Sequence, residues 1–266
     1  MNPWLPILSI VLLTLFVLWW IRKSYSRWKL PQSPMPEDQR KILESDIAFY
    51  HSLSKEDKRK FETKVQEFLL NCKITGIETQ IDQRDKLLVA SSAIIPIFGF
   101  DNWRYADLHE VLVYPRRFNL DFETEGAGRS VMGMVGNGYM NGVMILSKPA
   151  LEHGFKNERD KKNTAIHEFV HLIDKQDGRV DGLPVLLLEK QYAIPWIDMI
   201  RQKIDEIYEG RSGINPYGGT SRAEFFAVIS EYFFERPRLL KRHHPELYRL
   251  LKIIFKQDLA SRKRRN

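Results

Sequence analysis

His167 and His171 stand four apart in the run TAIHEFVHLID, and Glu168 follows the first of them. On an α-helix that spacing stacks both imidazoles on one face, one turn apart. Two imidazoles so placed can hold one zinc ion, and Glu168 beside them can reach a metal-bound water as general base. The chemistry implied is hydrolysis by a metal-activated water. Ile166, Phe169, Val170 and Ile173 form a separate apolar stripe. The helix therefore packs on one face and presents its ligands on the next. Gly178 is a natural stop for it.

A catalytic zinc site takes three side-chain ligands and keeps one position open. Asp177 would be the third ligand in an HExxHxxGxxH/D pattern, but Asp174 replaces the glycine that turns the chain back. Glu224 and Glu231 lie seven apart on one face of an aromatic-rich helix expected over residues 220–237. Ser221 and Glu224 also make a capping-box signal, so Glu224 has a purely structural reading as the helix cap. Glu231 reads equally well as a salt-bridged helical acid. Pattern alone leaves the two glutamates even. Asp174, three residues after His171, is a candidate acceptor for the second ring N–H of that histidine. Tyr217, seven residues before Glu224 in the loop NPYGGT, is a candidate donor to a developing oxyanion.

The elements that must position these groups are partly legible. Ser54 and Asp57 signal a helix over about 55–72, with Phe61, Val65, Phe68 and Leu69 as its apolar stripe. Residues 86–98 (KLLVASSAIIPIF) read as a buried helix. EVLVY at 110–114 and VMIL at 143–146 read as short strands. The glycine-rich stretch 126–142 lacks the Gly-Lys-Ser/Thr ending of a phosphate loop and reads as a hairpin or loop. Together with the 143–146 run it is a candidate edge strand for pairing with an extended peptide. The chain after about residue 155 is expected to be helical. The fold class expected is α+β, with a small sheet and dominant helices.

The single cysteine, Cys72, excludes an intrachain disulfide and any multi-cysteine metal site. With 43% hydrophobic residues the composition is that of a globular chain. Residues 4–21 (WLPILSIVLLTLFVLWWI) carry no charge, would extend about 27 Å as a helix, and are followed by Arg22, Lys23, Arg27 and Lys29. No basic residue precedes them, which argues against a signal peptide. The expectation is a transmembrane helix that enters the lipid bilayer through residues 4–21. By the positive-inside rule, the chain would be a single-pass inner-membrane protein with its bulk on the cytoplasmic side. The organisation expected is an anchor with its basic flank (1–30), a proline-rich linker (31–38), a metallopeptidase domain (39–260) and a basic tail (261–266). The net charge of +7 and that tail suit anionic lipid as well as nucleic acid, and no nucleic-acid partner is expected.

The runs HEFVHLID (167–174), DGLP (181–184) and PYGGTSRAEFFAVISEYFFERP (216–237) resemble the Mlc titration factor A family of zinc metallopeptidases. LHEVLVYPRRF (108–118) is similar to that family's central strand segment, and the likeness runs from about residue 40 to 256. The resemblance implies a zincin-like metallopeptidase domain with zinc as cofactor and a peptide or protein as substrate. It implies His167, His171 and Glu224 as metal ligands, Glu168 as catalytic base and Tyr217 as transition-state stabiliser. It also implies aminopeptidase-like activity and, as an alternative function, a regulatory protein that sequesters a transcriptional repressor.

Overall fold

The computed structural model describes residues 11–17, 19, 28–119, 123–124, 130–136, 140–157 and 160–262. The chain divides into two units, Met1–Leu30 and Pro31–Asn266. In the first unit residues 11–17 and Trp19 are helical. No helix among the described residues is long and apolar enough to cross a membrane. The expected transmembrane helix, the bilayer contact and the single-pass inner-membrane location are therefore corrected. The rest of the 4–21 run lies outside the described residues, as does most of the basic tail.

The second unit opens with α1 (Glu37–Asp46), α2 (Ala48–His51) and α3 (Lys55–Asn71). Ser54 caps α3 by accepting the Asp57 N–H at 3.1 Å, and Phe61, Val65 and Phe68 are buried along one side. After the short strand β1 (Lys73–Gly76), a reciprocal Asp82–Asp85 capping box starts α4 (Gln83–Ile97). This is the buried helix expected over 86–98, begun a turn earlier by that box. Its residues from Leu87 to the C-terminal end are buried on every side.

Strands β2 (Glu110–Tyr114), β3 (Gly133–Val135) and β4 (Val143–Ser147) complete a mixed sheet in the order β1-β2-β4-β3. β1, β2 and β4 run parallel, and β3 is antiparallel to β4 at one edge. The 143–146 run is thus an internal strand, and the edge belongs to β3. Val111 and Val113 alternate inward along β2, as a half-buried strand requires. The small sheet and dominant helices expected from the sequence are present.

Then follow α5 (Lys148–Lys156), α6 (Thr164–Asp174), α7 (Lys190–Tyr208), α8 (Arg222–Glu235), α9 (Pro237–His243) and α10 (Pro245–Phe255). α6 is central, packing against α8, α4, α5 and β3. Its apolar stripe is buried as the periodicity predicts, with Ile166, Phe169, Val170 and Ile173 all 2% exposed or less. The Phe169 ring lies 5.8 Å from that of Phe68 and 5.1 Å from that of Tyr105. Replacing Phe169 with Ala opens a cavity behind the helix that carries both histidines. The expected cost is about 3–5 kcal/mol, read as a lower urea midpoint with an unchanged slope.

Candidate metal centre

α6 begins at Asn163, whose side-chain carbonyl accepts the Ile166 N–H at 3.1 Å while its amide donates to the Gly154 carbonyl at 3.0 Å. The backbone N–H of Asn163 donates to Glu231 Oε2 at 2.5 Å. The other oxygen of Glu231 accepts from His167 Nδ1 at 2.7 Å. One buried carboxylate on α8 therefore fixes both the start of α6 and the ring of its first histidine. Glu231 is 6% exposed, so this pairing is shielded from solvent.

The opposite face of the His167 ring meets Glu224. Its Oε2 lies 3.0 Å from His167 Nε2, and its Oε1 lies 3.5 Å from His171 Nε2. The two Nε2 atoms stand 3.1 Å apart. One donor atom from each of His167, His171 and Glu224 falls within 4.8 Å of the others, the arrangement in which three side chains can hold one ion. Ser221 does cap α8, but it accepts the backbone N–H of Glu224 at 3.1 Å. Cap and cluster are served by different parts of the same residue, so the structural and functional readings of Glu224 are compatible. Asp177 lies in a 3-10 turn (Lys175–Asp177), where its Oδ1 accepts the Arg179 N–H at 3.0 Å.

Glu168 is buried against the edge strand. A Cβ built on Gly133 of β3 would approach Glu168 Cγ to 2.6 Å and Oε1 to 2.7 Å. A side chain at this position would have to displace the Glu168 carboxylate. Burial raises the Glu168 pKa above the ordinary carboxylate value, although the two histidines pull the other way. Burial also disfavours charge on His167, but its bonds to Glu224 and Glu231 win and hold it at about 10. Glu224 shows the complementary balance, with burial opposed by both histidines and a resulting value of about 2.

Tyr217 sits in a 3-10 turn (Pro216–Gly219), 53% exposed, with its ring centroid 6.1 Å from that of His167. Burial and then the charge of Glu224 raise its hydroxyl pKa, so it stays a donor at neutral pH. Asp174 accepts the Gly182 N–H at 2.8 Å through Oδ2. Its Oδ1 and His171 Nδ1 are both buried with no hydrogen-bond partner among the described residues. Gly182 has φ +78°, and its carbonyl accepts from Trp196 Nε1 at 2.8 Å. A Cβ at Gly182 would sit 2.4 Å from the Arg222 carbonyl. The loop after α6 is thereby locked onto α7 and the first turn of α8, which carries Glu224.

Sequence reasoning missed Asn163 and Gly133, and it weighed Glu231 as a ligand or as an exposed or salt-bridged helical acid; the structure pairs it with His167. An asparagine one residue before Thr164 is a legible cap signal. Gly133 had no signal that separates it from the glycines around it.

Burial raises Asp174 to about 6. Below about pH 4 the carboxyl is neutral in both folded and unfolded chains and costs nothing. As pH rises toward 6 the unfolded chain ionises first, so stability is lost across that window. In the metal-free chain, Asp174→Asn should gain on the parent between pH 4 and pH 6, by about 2 kcal/mol, and level off above. Urea titrations across that range measure this. A difference independent of pH would contradict it.

Residues 18–256 match the family model described as the glucose-regulated metallo-peptidase M90. Mlc titration factor A of Pectobacterium atrosepticum is 29% identical, over 79% of this chain and 83% of its own. Its counterpart in Escherichia fergusonii is 27% identical over 83% and 87%. An uncharacterized protein of Synechocystis sp. is 28% identical over 95% of this chain and 96% of its own. The family match spans the strands and helices that assemble the His167–His171–Glu224 cluster, and the chain belongs to the glucose-regulated metallo-peptidase M90 family.

Proposed function

We propose that residues 39–260 form a zinc-dependent peptidase domain in which His167, His171 and Glu224 hold the ion and Glu168 is the general base. The observation that carries this reading is the convergence of those three donor atoms within 4.8 Å, beside a buried Glu168. Two imidazole nitrogens and one carboxylate oxygen make a donor set suited to zinc. When bound, zinc supplies Lewis acidity that polarises a peptide carbonyl and makes water a better nucleophile.

The chain's own groups do the rest. Glu231 accepts the Nδ1 proton of His167 and so directs its Nε2 lone pair toward the cluster. Asp174 makes no hydrogen bond to His171 Nδ1 and is proposed to act on that histidine through its charge alone. The raised pKa of Glu168 suits a base that takes a proton from the attacking water and returns it to the leaving amine. Tyr217 offers its hydroxyl to the carbonyl oxygen as charge develops there. The outer edge of β3 is the place for an extended peptide to add a strand next to Glu168.

The name of these relatives, Mlc titration factor A, favours a second reading, in which the domain sequesters a transcriptional regulator and proteolysis is secondary. Glu168→Gln separates the two. It keeps the size of the side chain and spares all three proposed ligands. Under the peptidase reading it retains about one zinc per chain and loses about 100-fold or more in kcat. Glu224→Ala should lose the metal, whereas Glu231→Ala should keep it with an affinity lower by about 10–100-fold. Peptides with free and acetylated N-termini test the aminopeptidase-like action. Metal analysis and peptide cleavage on the full chain read all of these. Parent-level cleavage by Glu168→Gln would overturn the base assignment, and a full regulatory effect from that inactive variant would favour sequestration.

A further inference from the structure

A second concavity shares α6 with the metal centre, yet none of His167, Glu168, His171, Glu224 and Glu231 lines it. It is a cavity of about 340 Å³. Its floor is apolar, formed by side chains such as Ile47, Ile95, Phe155, Ile166 and Leu259. Its wall carries Arg236, Arg238, Arg242 and Arg262, against one carboxylate among the described residues, Glu235. Arg238 and Arg242 are exposed at the rim and Arg262 is half-buried, so the mouth of an apolar floor carries positive charge.

The disposition of these arginines points the same way. Arg238, Arg242 and Arg262 make no ion pair with a carboxylate among the described residues. Arg238 donates instead to the neutral carbonyls of Ala260 and Arg262, at 3.3 and 2.8 Å. Arg262 lies over the rings of Phe49 and Phe98, 4.7 and 5.9 Å from their centroids. It donates through Nη2 to Gln257 Oε1 at 3.3 Å, while its Nη1 is buried with no hydrogen-bond partner among the described residues. An apolar-stacked guanidinium with a spare donor is a good seat for a planar anion, because its fork of N–H groups matches a carboxylate in two-point fashion.

We propose that this cavity binds a fatty-acyl carboxylate, its chain on the apolar floor and its head among Arg238, Arg242 and Arg262. The size is that of a small-ligand pocket. The headgroup is assigned as a carboxylate because Arg262 is stacked on Phe49 and offers its planar fork to a planar two-oxygen group.

Two exposed lining positions allow the site to be altered without touching the core. Arg242→Glu reverses a rim charge, and Ala48→Trp fills the mouth from the first residue of α2. Isothermal titration of the full chain with decanoate should give saturable binding near one per chain, with a Kd of about 10–100 µM. Each variant should weaken it by about tenfold or more. Decanol and decyltrimethylammonium should bind the parent more weakly than decanoate by a similar factor. Decanol binding as tightly as decanoate would overturn the proposal, as would decanoate binding unchanged in both variants. No saturation by about 1 mM would also overturn it. Decyl phosphate binding tenfold tighter than decanoate would overturn the choice of head.

Discussion

The His167 imidazole, buried between Glu231 on one nitrogen and Glu224 on the other, is the contact on which the rest of this structure depends. The ring is 9% exposed, and charges buried that far are costly unless each is paired and hydrogen-bonded. The pairing is supplied by helix packing. α8 must lie along α6 in one register for both of its glutamates to reach one ring. Seven residues on a helix cover about 10 Å, and here the two carboxylates meet opposite nitrogens of the one imidazole set between them.

That register is enforced from several directions at once. The apolar stripe of α6 is buried against the core, with Phe169 between Phe68 and Tyr105. The N–H of Asn163 ties the first turn of α6 to Glu231. At its other end, Asp174 holds the Gly182 loop, whose left-handed glycine lies against the Arg222 carbonyl. Each of these contacts is remote from the reacting atoms, and each sets where Glu224 meets the histidines. Gly133 completes the set by bringing the edge strand onto Glu168.

Much of this was legible in the sequence because it is local. Helix period and spacing reveal the stacking of His167 and His171, and alternating β-branched residues reveal β2. The cap at Ser54 is a signal of the same kind. What was not legible is set by tertiary contact. β1 has four residues and β3 three, too few to show a period. The partition of roles between Glu224 and Glu231 could not be read from two acids on one helix face, because it depends on which nitrogen of a ring on another helix each one meets. The N-terminal apolar run shows the opposite failure. Its hydropathy pointed to a bilayer-spanning helix, and no helix among the described residues meets that length and apolarity.

The measurement that bears most directly on the centre is anomalous diffraction at the zinc edge, from crystals of the full chain grown with one equivalent of zinc. The expected result is a single ion within about 2.0–2.2 Å of Nε2 of His167, Nε2 of His171 and a carboxylate oxygen of Glu224, with Glu231 still on His167 Nδ1. An ion coordinated by Glu231 or Asp177, or no ion at the histidines of a folded chain, would contradict the account.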